Sequence, residues 1–173
     1  LVLTGLIQLG ALLYGLNIVW EARPAVLAFE VDRLVLITAN DIRRSELSSA
    51  PDERKEIPWY GVLRVGTRMP MNSGELFQSL ELESAGVSPG MRPSWWVTWQ
   101  EQLPEIKRRI KPWAEIIKRR PADEEVLVAA ARKTGLQVEK LFYLPLTSVH
   151  SMEWIVLLDE DANVIGWANV DGF

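Results

Sequence analysis

The 173-residue sequence has no cysteine and a single histidine, His150. The first absence excludes disulfides, thiolate zinc sites, iron–sulfur clusters and cysteine nucleophiles, and it leaves the compartment open. The second excludes histidine-rich metal sites. No glycine-rich phosphate loop occurs, and no G-x-S-x-G elbow presents a serine nucleophile. There is no internal repeat and no low-complexity tract. The net charge of −4 gives no global attraction to nucleic acid, so no nucleic-acid partner is expected. One further absence is local: Leu1 to Trp20 contain no charged residue.

That run is the strongest feature present. As a helix it spans roughly 30 Å, about the hydrocarbon thickness of a bilayer. Thr4, Gln8, Ala11 and Gly15 fall at helical spacing on one face, and such small or weakly polar stripes let membrane helices pack closely. Trp20 is placed as an interfacial anchor just before Glu21 and Arg23. Residues 1–21 are therefore read as a transmembrane helix, with a buried core helix as the alternative. A cleaved signal peptide fits less well, because no small-x-small site follows the run. Arg23 and Arg33 alone lie within twenty residues of its end, which leaves the orientation open.

Residues 22–173 read as one compact α+β domain, with a mostly antiparallel sheet of about five strands and three to four helices. Pro24 ends the first helix. Ala25–Thr38 reads as a strand with one wet face marked by Glu30, Asp32 and Arg33. Asp32 and Arg33, adjacent on that strand, should point to opposite faces and not pair. Asn40 or Asp41 can cap a short helix to Leu47, and Trp59–Met69 reads as a second strand. Asn72 or Ser73 caps a helix with Leu76, Phe77 and Leu80 on one face. Trp99, Leu103, Ile106, Ile110, Trp113 and Ile117 form the seam of an amphipathic helix, with Pro104 suited to its first turn and Pro112 predicting a kink or break. Asp123 caps the next helix and Gly135 ends it. Three strands close the chain, about Leu141–Ser148, Trp154–Asp159 and Val164–Val170.

Four constellations invite a functional reading. The stretch Glu101–Arg120 holds seven basic and three acidic residues, among them Lys107, Arg108, Lys111 and Lys118. It is either a contact for anionic lipid or an acidic protein, or a solvated helix face. Trp95 and Trp96, just before it, are either a partner-binding patch or core. Asp159, Asp161 and Asn163 match the start of a calcium loop, but Val164 replaces its glycine and Val170 its bidentate glutamate, so a hairpin turn is expected. His150 lies beside Ser148, Ser151 and Glu153, yet three groups from one short loop rarely reach catalytic geometry, and a surface turn is expected. The residues imply no catalytic site, no metal and no cofactor.

Two stretches carry a resemblance. Ala22-Arg23-Pro24 followed by Phe29-Glu30-Val31-Asp32-Arg33-Leu34 comes directly after the apolar helix. Leu144-Pro145-Leu146, Leu157-Leu158-Asp159, Val164-Ile165-Gly166-Trp167 and Val170-Asp171-Gly172-Phe173 follow near the end. In order and spacing these resemble the type IV pilin accessory proteins of the TfpX/TfpZ type. The resemblance implies a bacterial inner-membrane protein with a periplasmic α+β domain that modulates pilin stability or pilus assembly and is not an enzyme. Its implied partners are a type IV pilin subunit and inner-membrane lipid, with further membrane helices expected upstream of Leu1. On this reading Thr4, Gln8, Ala11 and Gly15 pack against another membrane helix. The competing readings are a membrane-tethered hydrolase using His150, and an anionic-lipid module using the basic helix 103–120 with Trp95 and Trp96.

Overall fold

A computed structural model describes residues 2–173. Its first element, α1 (Val2–Glu21), has no buried residue and is long and apolar enough to cross a bilayer. The chain then enters β1 (Pro24–Glu30), whose residues Ala25 to Phe29 are all buried. A run that is apolar on both faces marks a central strand covered from both sides. It turns directly into the antiparallel β2 (Arg33–Thr38), with Phe29 opposite Leu34 and Glu30 opposite Arg33. The single strand expected over Ala25–Thr38 is therefore a hairpin. The polar residues read as a wet face mark its turn, where Val31 takes φ 54, a left-handed conformation that β-branched side chains resist. Because Asp32 sits in the turn, its carboxylate meets Arg33 Nε at 2.9 Å, and the expectation that the two point apart fails.

The remaining strands are β3 (Leu63–Thr67), β4 (Trp96–Thr98), β5 (Lys111–Pro112), β6 (Phe142–Ser148), β7 (Trp154–Leu158) and β8 (Val164–Ala168). They form one eight-stranded sheet in the order β4-β3-β1-β2-β6-β7-β8, with β5 beside the start of β6. The expected antiparallel sheet of about five strands is corrected to a larger, mixed one. Both flanks of the central hairpin are parallel joins, β1 to β3 and β2 to β6. Parallel neighbours are linked by long crossovers that leave no local pattern, and β4 and β5 span only three and two residues.

Four helices dress the sheet: α2 (Ser73–Ser84), α3 (Trp99–Arg109), α4 (Trp113–Arg119) and α5 (Glu124–Thr134). Thr98 and Glu101 form a reciprocal capping box that starts α3 at Trp99, which places Pro104 inside the helix rather than in its first turn. Pro112 breaks the predicted seam in two. Trp99, Leu103, Ile106 and Ile110 pack with Phe29, Leu34 and Leu144 on one face of the sheet. Trp113, Ile116 and Ile117 pack with Leu127, Tyr143, Ile155 and Leu157 on the other. The intervening β5 runs beside Phe142 and Tyr143 and carries the chain between the faces. α5 ends as expected at Gly135, φ 71, although Asp123 makes no side-chain cap bond. α2 starts at Asn72 as expected, yet Leu76, Phe77 and Leu80 are exposed and only Ser79 is buried.

Candidate docking groove beside the apolar helix

Alternation along the strands puts Leu27 and Phe29, Leu34 and Leu36, Leu144 and Leu146, and Trp154, Val156 and Leu158 on one sheet face. α3 covers the part of that face around Phe29, Leu34 and Leu144. The part beyond it is a groove of about 550 Å³, lined mainly by Pro24, Leu27, Leu36, Leu146, Trp154, Val156 and Trp167. Trp167 projects from the terminal strand β8 and is 67% exposed. An exposed tryptophan over a concave apolar face is a common anchor of protein interfaces. The polar groups at this groove are Arg64, Thr147, Ser148 and Ser151. Val62 and Val164 complete its lining.

The groove opens at the end of the sheet where α1 arrives, since Pro24 lies three residues beyond the end of α1. The junction is a bonded corner. Asn40 N donates to Glu21 O at 3.0 Å, Ala39 N donates to Arg23 O at 3.0 Å, and Arg44 pairs with Glu21. Arg23 donates to Trp20 O at 2.9 Å and to Pro58 O at 2.8 Å, and its guanidinium lies 4.4 Å from the Trp20 ring centre. Trp59 packs against Trp20 in a tilted pair, with the ring centres 5.4 Å apart.

The structure separates the residues singled out from sequence. Thr4, Gln8, Ala11 and Gly15 are exposed along α1. Trp95 and Trp96, each 3% exposed, form no surface patch. Trp96 Nε1 donates to Gly90 O at 2.7 Å, and Trp95 lies under the guanidinium groups of Arg68 and Arg92. Five of the seven basic residues in the stretch are ion-paired. Lys107 pairs with Asp161 at 2.9 Å, Arg108 and Arg109 with Glu105, Arg119 with Glu115 and Arg120 with Asp171. Lys111 lies over the Tyr143 ring, and Lys118 is exposed on α4.

His150 is exposed in the loop between β6 and β7. Ser148 Oγ accepts from the backbone of His150 and Ser151, so the group near His150 is a turn held by its own amides. Asp159 likewise accepts from Asp161 N and Asn163 N, which makes the predicted hairpin turn between β7 and β8. No metal-binding group of His, Asp and Glu occurs among the described residues.

Sequence reading missed the groove itself. Leu36, Leu146, Trp154 and Trp167 come from four strands and converge only through the sheet order. A signal was nevertheless present, because Val164-Ile165-Gly166-Trp167-Ala168 is apolar on both faces although it forms an edge strand.

Over 168 residues, 96% of this chain, the sequence is 32% identical to the fimbrial assembly protein of serogroup I of Dichelobacter nodosus. It is 33% identical over the same length to the fimbrial assembly protein of serogroup E1 of that organism. The chain spans 65% of the length of each. No family model and no solved structure matches it.

Proposed function

We propose that this chain, similar over nearly its whole length to fimbrial assembly proteins, serves type IV fimbrial biogenesis as a membrane-anchored accessory factor that binds a pilin subunit and catalyses no reaction. In this reading α1 sits in the bacterial inner membrane and the domain faces the periplasm. The stripe Thr4, Gln8, Ala11 and Gly15 packs against a neighbouring membrane helix, supplied either by the same protein upstream or by the pilin. The observation that carries the reading is the apolar groove beside the end of α1. A partner that is itself anchored in the membrane meets the groove and the helix together, so its second contact is made at high effective concentration. The arrangement around His150 lends nothing to a hydrolase, because Ser148 Oγ is engaged by the backbone amides of His150 and Ser151 and the imidazole is exposed.

The test is photo-crosslinking in a piliated host, with a photoreactive residue replacing Leu12, Trp167 or Lys118 in separate strains. Adducts to pilin from the first two positions and none from Lys118, on the opposite sheet face, are the expected outcome. Pilin adducts from Lys118 alone would move the contact to α4. Absence of pilin adducts at all three would overturn the reading.

A further inference from the structure

The segment Pro58–Val62 has a composition unusual for a loop. Trp59 is 77% exposed and Tyr60 is 90% exposed, and Gly61 takes φ +77, which turns the chain back toward β3. Two large aromatic rings left bare in water on a connecting segment lose the stabilisation that burial provides. The first of the two is also held in place. The Trp59 ring packs on Trp20, and Arg23 bonds Pro58 O while covering Trp20. The loop is thus clamped to the last turn of α1, at the level where a helix of this length leaves the hydrocarbon. Tryptophan and tyrosine are the residues that settle at that depth, with an apolar ring inward and a polar edge toward water.

From this geometry we infer that Trp59 and Tyr60 are a second membrane contact, inserted in the bilayer's interfacial zone beside Trp20, which fixes how the domain sits on the membrane. The occupant of this patch is lipid. Continuity with the end of α1 argues for it, and so does the exposure that both rings keep beyond the contact of Trp59 with Trp20. The contact rests on ring burial rather than charge, so it does not require anionic lipid. Val62 and Pro24 belong both to this corner and to the groove lining. Seating the corner therefore turns the groove mouth toward the bilayer surface, where a segment rising out of the membrane can enter it. The inference rests on α1 being embedded, and does not depend on pilin being the partner.

The absence of cysteine in these residues makes the test clean. In the full-length protein, in a cysteine-free background, single cysteines at Tyr60, Leu12 and Lys118 carry an environment-sensitive fluorophore, and the protein is reconstituted in phosphatidylcholine vesicles. Tyr60 is so exposed that its replacement leaves the fold intact. Expected is a blue-shifted probe at Tyr60, quenched by shallow nitroxide lipid and shielded from aqueous iodide. The same result should hold when phosphatidylglycerol or high salt is added. A probe at Leu12 is expected to be quenched by deep nitroxide, and one at Lys118 by iodide. Adding Trp59→Ala should return the Tyr60 probe to water without moving the Leu12 probe. Iodide access at Tyr60 with Leu12 still deep would overturn the seat alone. Iodide access at both would overturn the embedded helix and the seat with it, and shielding at Lys118 that needs anionic lipid would favour the basic helix instead.

Discussion

Replacing Trp167 by alanine should weaken partner binding while leaving the domain as stable as before. Trp167 is 67% exposed, so truncating it opens no cavity, and surface changes of this kind stay within about 0.5 kcal/mol. As an aromatic anchor on the groove it should contribute about 2 kcal/mol or more to association, which weakens Kd roughly 30-fold. Trp113 is the internal comparison. It is 1% exposed and packed among Ile116, Leu127, Tyr143 and Ile155, so Trp113→Ala should cost about 3–5 kcal/mol of stability. Urea unfolding of both variants, paired with titration of purified pilin by a fluorescence or calorimetric assay, separates the two roles. The reasoning would be refuted if Trp167→Ala destabilised the domain as Trp113→Ala does. An unchanged Kd for stably folded Trp167→Ala would equally remove the groove as the binding face.

Three further outcomes are expected. A Cβ at Gly90 would lie 2.6 Å from Ala28 Cβ and 2.7 Å from both Glu30 Oε1 and Ile37 Cδ1, so Gly90→Ala should lower the urea midpoint by an amount equal to about 1–3 kcal/mol. Thr98→Ala removes the side-chain half of the capping box at the start of α3, the bond that Thr98 Oγ1 accepts from Glu101 N, and leaves Thr98 N donating to the Glu101 carboxylate; it should cost about 1 kcal/mol, readable as faster hydrogen exchange in the first turn of α3. Burial raises the Glu30 carboxyl above its usual range and outweighs the bond donated by Gly90 N. Its charged form is therefore disfavoured in the fold, so Glu30 favours folding below about pH 4.5 and loses that contribution as pH rises through its folded value. Glu30→Gln keeps the acceptor without the charge. It should match or exceed the parent's stability at pH 7 and lose that advantage near pH 4. Denaturation curves showing Glu30→Gln weaker at pH 7 would contradict the sign.

The apolar helix was legible from its residues alone, because twenty positions without a charge leave few physical alternatives. The same is true of α3, whose seam is a local periodicity, of Gly135 as a helix stop, and of the three closing strands with their Asp159 turn. Pro112 as a break was legible too, although not that its two halves would cover opposite faces. The hairpin at Val31 is hidden in the sequence: a β-branched residue at positive φ is the opposite of a turn signal, and the polar residues around it match the pattern of a strand's wet face. Trp95 and Trp96 show the reverse limit, since composition cannot say whether a tryptophan faces out or in, and here the answer lies with Gly90 O and two guanidinium groups. What the sequence determined by itself are features set by near neighbours in the chain: helix spans, caps and stops. The parallel joins, the groove shared by four strands and the clamping of Trp59 onto Trp20 were decided by tertiary structure alone, because each depends on residues far apart in sequence meeting at a free-energy minimum that no short window contains.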